Sequence, residues 1–374
     1  MKGVFITGAT GNVGSRLVKE YLIETDYLLY LLVRGESQQA AEARMAGVLA
    51  FWEVTAGEFR DRVRVLRGDL GTPDLGLTTV QIVEVRQNVQ IIVHAASNLR
   101  LDLTWEKAGR EILGGTKHVF ALAESLASLE RFGYVSTMEV MGRYPGLVRE
   151  EFLTNHRIEF LNNYERAKFE SEEYLRVKME LGFPVTILRV SMVVGEASTG
   201  KVLDFRTFYM ITEKFLLNPD FQLLPDGAPI DVIPIDFLSS CIVRLMDFVG
   251  ANGQIYHLSQ GLEDRQTLRS YIDLVKPIAE SHLGRTLKKP ILVWPGIHRW
   301  VFWLLSKLSF GKTRRFYAIQ LIFLKFFGLN WQFDNRRTQE QFSGFGITWP
   351  KFRDYLPKLM SYYFAHRHEN RLPF

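Results

Sequence analysis

Val4-Phe5-Ile6-Thr7-Gly8-Ala9-Thr10-Gly11-Asn12-Val13-Gly14 opens the chain and decides its fold. A short apolar run passes directly into three glycines spaced GxxGxxG, after which Leu17, Val18, Tyr21 and Leu22 recur at helical spacing. The order is strand, tight turn, helix. Glycine lets a backbone approach a pyrophosphate closely, and the free N–H groups of a helix start attract its charge. Glycine triplets alone recur by chance, but with a strand before and a helix after, this one predicts a dinucleotide site.

Outward from that turn, residues 28–33 read as a second strand ending in Leu31-Leu32-Val33-Arg34-Gly35. An NAD site usually presents Asp or Glu here to the ribose 2′-hydroxyl; a cation stands instead. Arg34, with Arg16, is therefore expected to pair with the extra phosphate of NADPH in a forked, charge-assisted geometry. Short apolar runs recur at 63–66, 91–93, 131–135 and 185–188 with helical stretches between them, and 255–258 reads as a later strand of the same sheet. The alternation predicts an α/β fold, a doubly wound parallel (Rossmann) sheet covered on both faces. From about 260 onward the pattern is mainly helical and aromatic. With no repeat and no low-complexity linker, the expected division is a nucleotide-binding domain of 1–200 plus 230–260. A smaller, mainly helical C-terminal substrate lobe takes 201–229 plus 261–374.

Composition narrows the class. At 374 residues, 47% hydrophobic and 23% charged, the chain is too apolar for disorder and too charged for a channel or transporter. Its one cysteine, Cys241, excludes a disulfide framework and a Cys-rich zinc site. No metal is expected, and the cytoplasm is the expected location. Met1-Lys2-Gly3 leads into a strand without the features of a signal peptide, and the longest apolar runs are broken by Ser306-Lys307 and Lys325, so no membrane span is expected. The net charge of +5 is uneven: 281–333 holds nine Lys and Arg and no Asp or Glu, leaving the rest at −4. With Trp294, Trp300, Trp303 and Trp331 in it, this segment reads as a surface for anionic lipid, an acidic carrier protein or a phosphorylated ligand, with peripheral membrane contact among the expectations. The alternative is a packed helical lobe with snorkelling lysines. Nucleic acid is not an expected partner, since no binding module accompanies the charge.

Two further loops should meet the cofactor. Asp69, after the third strand, is placed to meet the adenine amino group, and Ala95-Ala96-Ser97, after the fourth, are small where the chain must pass close by. His94 is expected to be a packed, hydrogen-bonded histidine rather than a catalyst. The chemistry itself comes from Tyr164-Glu165-Arg166-Ala167-Lys168, which sets a phenol and an ammonium on one helix face at i and i+4. A nearby Lys⁺ and an oxidised nicotinamide are expected to lower the phenol's pKa, so that the pair can relay a proton. Thr137, ending the strand Tyr134-Val135-Ser136-Thr137, offers a second hydroxyl to a substrate oxygen. Glu139, Met138 and Tyr144 either line the pocket or pack.

These residues resemble the short-chain dehydrogenase/reductase superfamily in its extended branch. The likeness is carried by Thr7 to Gly14, Gly68-Asp69-Leu70, His94-Ala95-Ala96, Gly115-Thr116, Val135-Ser136-Thr137, Tyr164 with Lys168, and Leu188-Arg189, in the family's order over the first 200 residues. The resemblance implies that Gly8, Thr10, Gly11, Asn12, Val13 and Gly14, with Asp69, Leu70, Ala95, Ala96 and Ser97, surround the nucleotide. It makes Thr137 the oxygen-polarising residue, Tyr164 the proton donor and Lys168 its partner and a ligand of the nicotinamide ribose. Val193 to Gly200, Ile230 to Phe237 and Phe333-Asp334-Asn335 followed by Pro350 and Tyr355 are most similar to thioester reductase domains and fatty acyl reductases. Two departures stand out: Ile112 where many relatives carry Asn, which puts a water-mediated proton relay in doubt, and Val190 where Pro usually follows the Arg. The implied function is NADPH-dependent reduction of an acyl thioester, on coenzyme A or an acyl carrier protein, to aldehyde or alcohol. The alternatives are a dehydrogenase or ketoreductase of a bulky apolar hydroxyl or ketone, of steroid, terpenoid or polyketide type, and a redox-sensing binding module.

Overall fold

In the computed structural model all residues are described except 56, 58–59, 145, 154–157, 218–222, 226, 294, 312–330 and 370–374. Strand Gly3–Thr7 (β1) is buried along its whole length and passes through the glycine turn into Asn12–Glu24 (α1). Leu28–Val33 (β2), Gln38–Phe51 (α2), Val63–Arg67 (β3), Thr79–Asn88 (α3) and Val89–His94 (β4) continue the alternation. Gly115–Glu124 (α4), Arg131–Thr137 (β5), Asn163–Glu180 (α5) and Val185–Val190 (β6) follow, then Ile235–Asp247 (α6) and Gln254–Leu258 (β7). Every strand anticipated from the apolar runs is present.

The seven strands lie in the order β3-β2-β1-β4-β5-β6-β7, and every pairing in this sheet is parallel. Because helices cover both faces, strands such as Val4-Phe5-Ile6 are apolar without alternation. One face packs Val4, Ile6, Leu17, Leu31 and Ile242, and the other packs Phe5, Tyr30, Ile92, Phe120 and Phe132. The chain runs from β1 outward to β3 and returns on the other side at β4. This reversal opens a crevice at the carboxyl edge beside β1, where ligands of such sheets bind.

A separate core of Phe208, Tyr271, Phe352, Tyr355 and Leu359 builds the second lobe. Its helix Leu268–Leu283 (α7) starts on a reciprocal cap between Thr267 and Ser270 and stops at Gly284 with φ 62°. Phe342, with Phe345, Ile347 and Trp349 around it, packs on the Rossmann core although it lies in sequence between residues of the lobe's own core, inside the segment expected to belong to the lobe. Among the described residues no helix is long and apolar enough to cross a membrane.

At its carboxyl edge the sheet face under α5 carries two polar rows. Thr7, His94 and Tyr134 stand side by side across β1, β4 and β5, and Ser136, Arg189 and His257 across β5, β6 and β7. Helix α5 covers both, presenting Lys168 to the first row and Glu172, one turn on, to the second.

Candidate active site

The glycine turn closes on itself. Gly8 has φ 75°, and a Cβ there would stand 2.8 Å from the Ala96 backbone. At Gly14 a Cβ would reach within 2.1 Å of the Gly8 carbonyl oxygen, so α1 can seat on the turn only without a side chain. Gly11 is different: it is exposed, and the one protein atom near its would-be Cβ is the Gly8 carbonyl oxygen, at 3.4 Å. Internal packing does not require glycine there, whereas a pyrophosphate laid against the helix start does. Nearby, the Ser97 hydroxyl is buried without a protein partner. Both observations fit a nicotinamide dinucleotide.

The expected cofactor residues take varied places. Ala95 and Ala96 line the turn at Gly8, while Thr10 and Val13 are half-buried on it. Asn12 spends both ends of its amide on the Asp204 backbone, at 2.9 and 3.0 Å, and so ties the turn to the second lobe. Asp69 caps its own loop by accepting from Gly71 N at 2.7 Å, and Leu70 packs on Gly115. Arg34 is exposed at the end of β2 and pairs with no carboxylate among the described residues. Arg44 of α2 lies beside it, donating to the Arg34 carbonyl at 3.3 Å, and burial and the Arg34 charge push its guanidinium down. Arg44 escaped the sequence reading because a cation on a surface helix carries no local signal. Arg16 departs from expectation. It is buried and committed to Glu196 at 2.9 Å and to Glu20, carboxylates that already neutralise it, instead of standing with Arg34.

The chemical residues come together. Thr137 ends β5, and its hydroxyl stands near enough to that of Tyr164, on the first turn of α5, to act on the phenol's charge. Asn162 starts that helix by accepting from Glu165 N at 2.9 Å, which sets Tyr164 against the strand end. Lys168, four residues on, is 2% exposed and donates to the Val135 carbonyl at 2.7 Å and the Tyr134 hydroxyl at 3.2 Å. Its ammonium also lies 4.3 Å from the Tyr134 ring centroid. Burial draws the amine down to about 7, opposed by Glu172.

The phenol of Tyr164 moves opposite to expectation. Burial, reinforced by Glu139 and Tyr134, raises it well above its ordinary value, and the Thr137 hydroxyl opposes this weakly. A phenol kept protonated suits a proton donor to an oxygen being reduced. Glu139, half-buried just past Thr137, is pushed up to about 7 by burial, and Glu165 up to about 8 by burial and then by Glu139. Met138 and Tyr144 pack with Val140 and Phe333. Ile112 sits in a π-helical segment, Gly109–Gly114, packed with Leu103, Ala108, Tyr164 and Ala167. No group of three His, Cys, Asp or Glu among the described residues is placed to hold a metal.

His94 is packed as expected. Its ring bonds Thr7 Oγ1 at 2.7 Å and Thr116 Oγ1 at 3.2 Å, and burial, then the Lys168 charge, draws it down to about 3. The folded ring thus stays neutral where the unfolded ring, near 6.5, takes a proton, and stability falls as pH drops from 6.5 towards 3. Thermal unfolding between pH 7 and pH 4.5 should show a smaller acid loss in His94→Gln than in the parent; equal losses would remove His94 as a source.

A parallel Rossmann sheet, a glycine cradle and a Thr–Tyr–Lys set at its carboxyl edge define an NAD(P)-binding oxidoreductase of the extended short-chain dehydrogenase/reductase type. The chain belongs to the male sterility protein family, whose NAD-binding model matches residues 6–242. It is 27% identical over 309 residues to a carboxylic acid reductase of Mycobacterium marinum, covering 73% of this chain and 26% of that protein. Against a glycine betaine reductase of Emericella nidulans it is 27% identical over 290 residues, covering 74% of this chain and 22% of the other. The chain thus spans a small part of the length of these curated relatives. Among solved structures, the terminal R domain of the myxalamid PKS-NRPS pathway shares the fold with a TM-score of 0.81 at 23% identity, over 99% of this chain and 92% of that one.

Proposed function

We propose that the protein is an NADPH-dependent reductase of an acyl thioester, carried on coenzyme A or an acyl carrier protein, giving an aldehyde or alcohol. The observation that carries this reading is the convergence of Thr137 at the end of β5 with Tyr164 and Lys168 on the first turns of α5, at the carboxyl edge where the glycine turn opens. Bound NADPH supplies a hydride to the carbonyl carbon. The chain's part is to hold the carbonyl oxygen between the two hydroxyls as negative charge gathers on it, and Tyr164 then protonates that oxygen. Collapse of the resulting thiohemiacetal breaks the C–S bond. The thiolate leaves with the electron pair and takes up a proton as the hydroxyl loses one, giving aldehyde and free thiol. Lys168, on the same face of α5 as Tyr164, would hold the nicotinamide ribose of the bound cofactor.

The division into a nucleotide domain (1–200 plus 230–260) and a substrate lobe (201–229 plus 261–374) accompanies this reading, supported by the separate aromatic core of the lobe. A carrier-bound substrate draws support from the likeness to a thiolation-reductase di-domain, TM-score 0.73 at 17% identity. Of the basic segment, Trp294 and 312–330 lie outside the described residues, and membrane contact draws no support from the fold.

The test is turnover of acyl-CoA and acyl-carrier thioesters with NADPH, reading thiol release and aldehyde together. Ketone reduction without thiol release favours the ketoreductase reading, and no cofactor oxidation across chain lengths sinks both. For the cofactor, the exposed guanidinium of Arg34 at the end of β2, with no carboxylate partner among the described residues, supports pairing with a 2′-phosphate. Arg34→Ala should weaken NADPH relative to NADH by about tenfold, a charge-assisted hydrogen bond being worth roughly 1.5–3 kcal/mol. Titration of both nucleotides checks it; an unchanged ratio places the phosphate elsewhere.

A further inference from the structure

We propose that Asn12 is a positioning residue, a clasp through which a nucleotide bound on the glycine turn orders the start of the substrate lobe, so that cofactor and thioester bind as coupled ligands. The inference rests on the reading of that turn as the dinucleotide site and of 201–229 as part of the lobe. Its basis is a pair of hydrogen bonds spanning 192 positions of sequence. The Asn12 side-chain amide donates to the Asp204 carbonyl at 2.9 Å and accepts from the Asp204 N–H at 3.0 Å. Because donor meets carbonyl and acceptor meets N–H, the amide has one orientation, and turning it over would break both bonds. These two bonds use the Asp204 backbone; its carboxylate accepts from Arg206 Nε at 2.6 Å.

Asn12 faces two ways. It is the first residue of α1, a helix that starts from Gly11 with no side-chain cap and no acidic residue in its first turn. The first N–H groups of α1, that of Asn12 among them, have no intrahelical acceptor and are left for a pyrophosphate. At Gly11 there is no side chain to hold the bare turn, and glycine gives it backbone freedom. Once those N–H groups donate to phosphate, the Asn12 backbone is fixed, and its side chain closes on Asp204 at a smaller loss of freedom.

The segment it closes on is the crossing between the two cores. Leu203 belongs to the Rossmann core, whereas Val202, Phe208 and Tyr209 belong to the core of the lobe. Phe205, next to the clasp, lies 4.8 Å from the Tyr209 ring and 5.0 Å from that of Tyr363, between centroids. Order imposed at Asp204 therefore passes to the short helix Thr207–Ile211 and to the helix Phe352–His366. Arg16, on the next turn of α1, holds Glu196 upstream at 2.9 Å. Helix α1 thus grips the chain at two points, and Asp204 is the one held by a residue of the turn. Linkage makes the effect reciprocal: the factor by which cofactor tightens thioester is the factor by which thioester tightens cofactor.

The experiment follows amide hydrogen exchange in the parent and in Asn12→Leu, each with and without saturating NADP⁺. Leucine keeps the size of the side chain and removes both bonds; thermal melts confirm folding, and Asn12→Ala replaces it if leucine does not fold. In the parent, NADP⁺ should slow exchange at 8–15 and also at 202–209, the latter by about fivefold or more. In Asn12→Leu the turn should still be protected, while 202–209 exchange as in the free protein. In step with this, the KM for a thioester should fall as NADPH rises in the parent and stay flat in the variant. Protection of the turn but not of 202–209 in the parent, or equal protection of 202–209 in the variant, overturns the inference and leaves the nucleotide site standing. No protection of the turn by NADP⁺ removes the site on which the inference rests. Failure to reduce any thioester removes the reductase reading, and the exchange result then decides the clasp by itself.

Discussion

Tyr164→Phe should lower thioester reduction by about three orders of magnitude, within the range expected for loss of a positioned proton donor, while nicotinamide nucleotide binding persists. The ring is 6% exposed and packs with Leu103, Ile112 and Ala167, so phenylalanine keeps the packing and removes one hydroxyl. What disappears is the hydroxyl beside the strand end at Thr137, on a phenol that burial holds protonated. Stopped assays of aldehyde and thiol, alongside equilibrium titration of the cofactor, separate chemistry from binding. A variant keeping more than a tenth of the parent rate would mean that the carbonyl oxygen takes its proton elsewhere. The same titration speaks to a redox-sensing module: binding and biological output both intact without the hydroxyl would favour it.

Glu172→Ala should be the most destabilising single change outside the glycine turn, costing on the order of 3–5 kcal/mol, as expected when one partner of a buried ion pair is removed. Arg189 and Glu172 are each 1% exposed and joined at 2.7 Å between Nη2 and Oε2. Ser136 donates to the same carboxylate, and Arg189 reaches His257 Nε2 at 3.3 Å and the Glu151 carbonyl at 3.0 Å. Alanine leaves a guanidinium charge inside the protein with one carbonyl and a neutral ring to hold it. Denaturant unfolding measures the loss as a lower midpoint. Glu172→Leu/Arg189→Met should recover much of it, since exchanging the pair for apolar groups removes the desolvation cost along with the attraction. If the single variant unfolds at the parent midpoint, the row at β5-β6-β7 contributes nothing to stability.

These two residues illustrate what was legible. Tyr164 was readable because its chemistry is local: a phenol and an ammonium four residues apart on a helix share a face whatever surrounds them. The glycine turn was readable for the same reason, since positive φ at Gly8 and the close approach at Gly14 leave little choice of side chain. Glu172 and Arg189 carry no such signal. Seventeen positions separate them, and nothing in their flanking residues says that α5 packs over β6 so as to bring them together. Arg16 shows the converse: beside the turn in sequence, it was assigned to a phosphate, but the fold delivers Glu196 to it from 180 residues away.

The sequence by itself determined the class of fold, the dinucleotide turn and the chemical groups of the site, because each depends on periodicity or on backbone geometry within a few residues. Only the tertiary structure decided which neighbours set the charge of those groups. The hydrogen-bonded row from Thr7 through His94 to Thr116, the raised phenol of Tyr164 and the neutralised Arg16 all depend on burial and on contacts made across strands. Desolvation and hydrogen-bond direction are properties of packed surroundings, and a chain acquires them only when distant segments close around the group.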